Sequence, residues 1–273
     1  MNAEHVTRAG PSRHIFRRGL RAPAPSLRLS RGLFQAHPDL DAALCSGNAT
    51  ETIKRQKKEG RDGQDPSVAP QVHQAAVLLV DIVDFTRLVE GMAPERVFAL
   101  LRSFHRRACD VVFRYRGHVE KYIGDAILVT FGTSLPSDMN ATNALLCAHG
   151  ILQEVERWNE KRAARGAANV RVGIGVHYGP VATGDIGDER RRESTVIGDV
   201  VNVASRIERL TRHFNAPLIV SGDLIEATRR EGSRARELLK AFVACGLTTV
   251  RGRRKPISIW IYKKREGRAG TAW

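Results

Sequence analysis

Residues 118–132 read HVEKYIGDAILVTFG, two short apolar segments on either side of a Gly-Asp pair. Alternating apolar residues interrupted by a glycine predict a β-hairpin with Gly124 at its turn. Lys121 precedes Asp125 by four residues, and a charged pair beside a turn is ordinary turn chemistry when it stands alone. The neighbouring segments therefore decide whether this hairpin belongs to a catalytic fold.

The segments around the hairpin alternate between strand and helix patterns. Before it lie the apolar run AAVLLV (residues 75–80), typical of a buried strand, and an amphipathic helix that starts near Pro94. After it the sequence predicts a helix over 137–163, a second hairpin with Gly179-Pro180 as its turn, a third helix over 199–214, and later strands. This order predicts an α+β domain with a ferredoxin-like βαββαβ core and C-terminal strand additions, its mainly antiparallel sheet covered by helices on one face.

The first 70 residues differ in composition from the rest of the chain. They are rich in Arg, Pro and Ser without a sustained period, and their first part resembles either an organellar transit peptide or an Arg-rich tail. We expect residues 1–70 to be a disordered basic extension and linker, 71–265 to be the catalytic domain, and 266–273 to be a flexible tail.

The charge of the chain is strongly basic but spread along it. The formal net charge is +15, with 12 Lys and Arg against 7 Asp and Glu in residues 1–70, and 32 against 22 in the remainder. Spread basicity favours solubility or a polyphosphate ligand over a nucleic-acid-binding arm. The chain has no apolar run long enough to cross a bilayer, and its four scattered cysteines fit a reducing, cytoplasmic setting.

Two aspartates occupy equivalent positions at the ends of predicted strands. Asp81 follows the buried strand VLLV, and Asp125 lies at the turn of the hairpin. Each alone is readily explained as a capping or turn residue, but neighbouring strands would bring the two carboxylates together. Adjacent carboxylates repel unless cations lie between them, and oxygen ligands suit Mg²⁺. The pair therefore indicates a two-metal site of the kind that catalyses phosphoryl transfer. The turn and helix start after Asp81 would aim backbone N–H groups at an anion, which makes Phe85 and Thr86 candidate substrate-binding residues.

Four sequence motifs occur in the order LLVDIVDFTRL, VEKYIGDAILVTFG, VRVGIGVHYGPVATGDIG and VIGDVVNVASRIERL. Together they resemble the catalytic domain of class III nucleotidyl cyclases, the adenylate and guanylate cyclases. The resemblance covers roughly residues 73–263. It implies that Asp81, Asp125 and the backbone carbonyl of Ile82 bind two Mg²⁺ or Mn²⁺ ions. It also implies that Lys121 reads the purine ring.

The same resemblance assigns roles to residues outside the hairpin. It implies that Asn202 orients the nucleotide or its ribose and that Arg206, four residues later on the same helical face, stabilises charge at the α-phosphate. It implies that Arg171 and Arg251 hold the terminal phosphates.

The sequence departs from the family pattern at two positions. Thr195 stands where adenylate cyclases commonly have aspartate at the second purine-reading position, and threonine is usual there in a bicarbonate-responsive subgroup. A bicarbonate response and a neutral replacement both remain open. Asp84 stands where the family often has glycine, and its carboxylate would either weaken triphosphate binding or point outward.

The resemblance implies an adenylate cyclase that converts ATP to 3′,5′-cyclic AMP and pyrophosphate in intracellular signal transduction. Because the family builds each site from two subunits and this chain carries every element once, we expect a head-to-tail homodimer with shared sites. The alternatives are a guanylate cyclase, which Lys121 disfavours, and a catalytically inert cyclase-like regulatory domain. A basic nucleic-acid-binding module is less favoured, because no aromatic-rich strand is present for base stacking.

Overall fold

The computed structural model describes residues 70–135, 137–187, 192–249 and 255–263. In these ranges the strands form one sheet in the order β2-β3-β1-β4-β6-β8-β7, with β5 paired to β4. The strands are β1 (Gln71–Ile82), β2 (His118–Ile123), β3 (Ala126–Phe131), β4 (Val172–Gly187), β5 (Arg192–Ile197), β6 (Leu218–Ser221), β7 (Phe242–Thr248) and β8 (Ile257–Tyr262). The helices are α1 (Phe85–Val89), α2 (Pro94–Arg114), α3 (Asn140–Ala163), α4 (Asp199–His213), α5 (Gly222–Arg230) and α6 (Arg236–Leu239). The predicted α+β class and βαββαβ core are confirmed.

The central position of β1 follows from its continuous apolar run. It pairs antiparallel with β3 on one side and with β4 on the other, and the run from Ala75 to Val80 is buried. Successive residues of a strand point to opposite faces of the sheet. Val80 and Ile82 accordingly join the core beneath α2 and α3, whereas Leu79 joins the cluster on the opposite face. The residue between Val80 and Ile82, Asp81, thus belongs to the face of Leu79.

Helices cover both faces of the sheet, and the expectation of helices on one face was wrong. Helix α4 packs on the opposite face from α2 and α3, where its Val200 and Ala204 belong to the same buried cluster as Val77 of β1. Glycines of β4 allow this approach, since a Cβ placed on Gly175 would lie 2.3 Å from the backbone nitrogen of Glu208 in α4. The alternate glycines of β4 therefore allow a helix to pack closely on this strand.

The predicted turn at Gly179-Pro180 was also wrong. These residues lie inside β4, where Gly179 pairs with Ala75 and Pro180 pairs with Gln74 of β1. A Gly-Pro pair is a strong local turn signal, but twelve residues of pairing with β1 carry the strand through it. Strand β4 instead pairs antiparallel with β5 at its far end, from Ala182 opposite Ile197 to Gly187 opposite Arg192.

The first hairpin agrees with its prediction. Strands β2 and β3 flank Gly124, which has the positive φ of +63° that a turn residue without a side chain adopts easily. The predicted extension (1–70, of which only residue 70 is described), the tail (266–273) and Arg251 lie outside the described residues, so those predictions stay predictions. No helix in the described ranges is both long and apolar enough to cross a membrane.

Candidate active site

The two predicted metal carboxylates come together at one edge of the sheet. Asp81 lies near the end of β1, and Asp125 at the β2–β3 turn accepts a hydrogen bond from the backbone N–H of Ile82, 3.1 Å from its Oδ2. This bond fixes the turn against the end of β1. Burial raises the pKa of Asp81 above its usual range, and the negative charge of Asp125 adds to that rise, while hydrogen bonds to Asp81 oppose it. The neighbouring carboxylates of Asp81 and Asp125 therefore favour a positive charge between them.

The donor set fits Mg²⁺ or Mn²⁺. Two carboxylates and a backbone carbonyl, that of Ile82, are oxygen ligands, and Mg²⁺ is usually held by one or two carboxylates together with substrate phosphates. Within the ranges that the structure describes, no group of three or more His, Cys, Asp or Glu side chains is placed to form an all-protein metal cage. The oxygen atoms of Asp81, Ile82 and Asp125 therefore suit a hard divalent cation.

An ion pair between the buried Glu208 and the partly exposed Arg212, which the sequence motifs did not indicate, contacts Asp81 from α4. Arg212 donates from Nη2 to Oδ1 of Asp81 over 2.6 Å, and its Nη1 donates to Oε1 of Glu208 one turn earlier. Glu208 is only 2% exposed. Burial and the neighbouring charge of Asp81 raise the pKa of Glu208, whereas the Arg212 guanidinium opposes that rise and favours the ionised carboxylate. The sequence signal was the i, i+4 spacing of Glu208 and Arg212 in line with the buried Ala204.

The two predicted purine-reading residues are in contact. The Nζ of Lys121 in β2 donates to Oγ1 of Thr195 in β5 over 3.2 Å, and also to Oε1 of Glu193 over 3.1 Å. Thr195 is only 6% exposed, so Lys121 contacts a buried side chain. Glu193 was not predicted, although it lies two residues before Thr195 and therefore on the same face of β5. The arrangement presents an ammonium donor beside a hydroxyl that both donates and accepts.

Helix α4 carries Asn202 and Arg206 one turn apart. Asn202 is exposed and Arg206 is partly exposed. Among the described residues, no hydrogen bond or ion pair joins either side chain to Asp81 or Asp125. Within one chain, the contacts of the described residues therefore do not join Asn202 or Arg206 to the two carboxylates.

The predicted triphosphate-binding residues lie around α1. Arg171 donates from Nη2 to Oδ2 of Asp84 over 2.7 Å, and its backbone carbonyl accepts from the N–H of Val83 over 2.9 Å. Asp84 has a φ of +55°, a left-handed conformation that glycine adopts at lower cost. The hydrogen bond from Arg171 shows that the Asp84 carboxylate points to that guanidinium. Phe85 packs partly into the core, and Thr86 is exposed in the first turn of α1.

The candidate residues of one chain therefore form separate groups. The carboxylate group comprises Asp81 and Asp125 with the Arg212–Glu208 pair, and the purine group comprises Lys121 with its partners in β5. Among the described residues, no hydrogen bond or ion pair connects the first group with the second.

Comparison with known proteins identifies a family. The family model described as "Adenylate and Guanylate cyclase catalytic domain" matches residues 68–261. An adenylate cyclase of Anabaena cylindrica is 32% identical over 199 residues, covering 71% of this chain and 38% of the relative. Adenylate cyclase 1 of Rhizobium meliloti is 27% identical over 187 residues, covering 68% of this chain and 27% of the relative. The chain thus spans only about a quarter to two fifths of the length of these relatives.

Solved structures share the fold. The adenylyl cyclase CyaB from P. aeruginosa aligns with a TM-score of 0.62 at 21% identity, covering 74% of this chain and 100% of that one. The guanylyl cyclase Cya2 aligns with a TM-score of 0.61 at 26% identity, covering 71% of this chain and 94% of that one. The α+β architecture described above is therefore that of class III cyclases.

Proposed function

The chain belongs to the adenylate and guanylate cyclase catalytic domain family, and from that premise we propose that it is an adenylate cyclase. The proposed reaction converts ATP to 3′,5′-cyclic AMP and pyrophosphate. The single observation that carries the choice of base is the contact between Lys121 and Thr195, 3.2 Å apart. Both curated relatives described above are named adenylate cyclases, which supports the same choice.

The Lys121–Thr195 contact suits adenine better than guanine. Adenine presents a ring-nitrogen acceptor beside an amino donor, whereas guanine presents a ring N–H donor beside a carbonyl acceptor. The ammonium of Lys121 only donates, so it matches the adenine ring nitrogen, and the hydroxyl of Thr195 accepts from the amino group. A guanine ring N–H would leave the Lys121 ammonium facing another donor, which costs the desolvation of an unpaired group.

The remaining residues position the triphosphate and the ribose. We assign Asp81, Asp125 and the Ile82 carbonyl as the holders of two Mg²⁺ or Mn²⁺ ions. Held there, such ions would supply Lewis-acid activation for the ribose 3′-hydroxyl that attacks the α-phosphate, and positive charge for the departing pyrophosphate. The backbone N–H groups of Phe85 and Thr86 lie at the start of α1, where free N–H groups attract phosphate oxygens.

The basic and amide side chains complete the proposed site. Arg206 would place its guanidinium at the α-phosphate, where negative charge develops, and Asn202 would orient the ribose. Arg171 and Arg251 would hold the terminal phosphates, with Arg171 released from Asp84 when the nucleotide binds. The protein's work in this mechanism is positioning and electrostatics, since none of these groups forms a covalent bond to the substrate.

The proposed active form is a head-to-tail homodimer with two shared sites. Among the described residues, no hydrogen bond or ion pair joins the purine group to the carboxylate group of the same chain, which agrees with this arrangement. Lys121 and Asp125 would then serve different sites despite being four residues apart. Inactive Lys121→Ala and Asp125→Ala chains, mixed, should recover one intact site per heterodimer. Heterodimers that form but stay inactive would contradict the shared site.

The experiment that tests the proposed function is product formation by the purified chain with ATP or GTP and Mg²⁺ or Mn²⁺. We expect cyclic AMP from ATP, little turnover of GTP, and loss of activity in Asp81→Ala. Comparable turnover of GTP would refute the adenine assignment, and unchanged activity of Asp81→Ala would refute the two-metal mechanism. The same assay with added bicarbonate tests the response predicted from Thr195, and a flat response would leave the enzyme assignment intact.

A further inference from the structure

We propose that Glu208 and Arg212 are positioning residues that hold the carboxylate of Asp81 in the orientation needed to bind metal. This inference rests on the proposed function, because it assumes that Asp81 is a metal ligand. Neither residue belongs to the set that the sequence motifs assigned to the nucleotide or to the metals. The two side chains act on the site through Asp81 and need no contact with the substrate.

The Glu208–Arg212 pair connects the protein interior to Asp81 through two successive contacts. The Glu208 carboxylate is buried, with its side chain only 3% exposed, and it binds Nη1 of Arg212. Nη2 of the same guanidinium donates to Oδ1 of Asp81 over 2.6 Å. The planar fork of an arginine presents both nitrogens in one fixed plane. Each carboxylate therefore contacts its own nitrogen, and the direction of the Asp81 carboxylate is set by a group anchored in α4.

The fold leaves a dedicated space for this pair. Gly173 lies opposite Asp81 in the β1–β4 register. A Cβ on Gly173 would lie 2.7 Å from Oε1 of Glu208, 2.6 Å from Oγ1 of Thr211 and 3.2 Å from Nη1 of Arg212. Any larger residue at this position would therefore displace the ion pair. Gly173, which faces Asp81 across the β1–β4 ladder, therefore leaves the space that the side chains of Glu208 and Arg212 in α4 occupy.

The physical reason for such a pair lies in the freedom of a carboxylate. The terminal torsion of an aspartate is broad, so its oxygens are poorly oriented without a partner. Hydrogen-bond partners behind a metal ligand fix its orientation, and their loss commonly costs about 10- to 100-fold in metal affinity. A lone arginine there would also repel the cations. Glu208 balances the charge of Arg212, so the pair adds orientation without a net positive charge.

The double variant Glu208→Gln/Arg212→Gln separates orientation from charge, because it removes one negative and one positive charge together. The matched control is Glu237→Gln/Lys240→Gln, which removes an exposed ion pair, 2.7 Å long, between a residue of α6 and the residue that follows the helix. The full chain is titrated with 2′-mant-3′-deoxy-ATP, which lacks the attacking hydroxyl, over a range of Mn²⁺ concentrations and in EDTA. Thermal unfolding of each variant is measured in parallel.

We expect the Mn²⁺ concentration for half-maximal probe binding to rise about 10- to 100-fold in the double variant. Probe affinity in EDTA should stay unchanged, and the control should match the wild type in both. Should the double variant not fold, Arg212→Lys replaces it, since lysine keeps the charge and loses the fork; a smaller rise in the same direction is expected.

The outcomes distinguish this inference from the proposed function. Asp81→Asn defines the Mn²⁺-independent signal. If the wild type equals Asp81→Asn, Asp81 is not a metal ligand, and both proposals fall. If the wild type responds to Mn²⁺ and the double variant responds equally, only the positioning role is refuted. Tighter Mn²⁺ dependence in the variant would also refute it, because Arg212 would then be competing with the metal for Asp81.

Discussion

The approach of α4 to β4 at Gly175 provides a sharp test of the fold. A Cβ on Gly175 would lie 2.3 Å from the backbone nitrogen of Glu208, 2.5 Å from the carbonyl oxygen of Ala204 and 2.7 Å from Cα of Glu208. All three atoms belong to the backbone of α4, so no side-chain rotation relieves the overlap. Gly175→Ala must therefore move the helix away from the sheet.

The expected cost of Gly175→Ala lies at the upper end of the range for overpacking, about 3 kcal/mol. For a folded unit of this size that corresponds to a fall in melting temperature of about 6–12 °C. The matched control is Gly184→Ala in the same strand, where the nearest atom, Cα of Pro70, is 3.8 Å from the added Cβ. Urea unfolding followed by circular dichroism measures both variants.

The result that would refute this reasoning is a Gly175→Ala variant as stable as Gly184→Ala. Such a result would mean that α4 is not seated on the backbone of β4. A fall in stability of Gly175→Ala with full cyclase activity would mean that α4 can shift without disturbing the residues it carries.

Three further predictions follow from individual contacts. Asp84→Gly should lower the KM for ATP about twofold in steady-state assays, because it removes an exposed competitor for Arg171; an unchanged KM would contradict that competition. Glu154→Gln should destabilise the fold by about 1 kcal/mol at pH 7. Burial alone would raise the pKa of Glu154, but its hydrogen bonds to two arginines lower it overall. The stability is therefore present above the unfolded pKa and is lost as pH falls through the folded one, so the wild-type and variant unfolding curves should approach each other as pH falls below the ordinary glutamate pKa of about 4.3. Ser221→Ala should cost about 1 kcal/mol in urea unfolding through loss of the cap to the N–H of Leu224, and a change under 0.3 kcal/mol would contradict the cap.

The parts of the fold that depend on local patterns were predictable from the sequence. The β2–β3 hairpin was, because Gly124 between alternating runs has one natural interpretation. The course of β4 was not, because the local turn signal of Gly179-Pro180 competes with pairing to β1, which is distant in the sequence. The packing of α4 was not predictable either, because it depends on which strand the buried face of the helix contacts. Only the folded chain shows that Gly175 of β4 lies beneath the helix and allows its close approach.

The candidate site divides in the same way. The motif residues were predicted, and the structure brings Asp81 to the Asp125 turn and Lys121 to Thr195. The Arg212–Glu208 pair was not found, because a glutamate and an arginine four apart on a helix are most often a solvated surface pair. Only burial distinguishes the two cases, and burial is a property of the packed chain.

Helix α4 carries two sets of candidate residues, Asn202 with Arg206 and Glu208 with Arg212. At 3.6 residues per turn, the mean direction of the Glu208–Arg212 pair lies about 120° around the helix from that of the Asn202–Arg206 pair, so the two pairs lie on different faces of α4. Arg206 and Asn202 lie on the side away from β1, and Glu208 with Arg212 lies against Asp81. In the proposed dimer, one rigid helix would therefore set the metal carboxylate of its own site and the charged side chains of the neighbouring one. A displacement of α4 from its seat on β4 should disturb both sites together, which makes the Gly175 contact a point on which catalysis as well as stability depends.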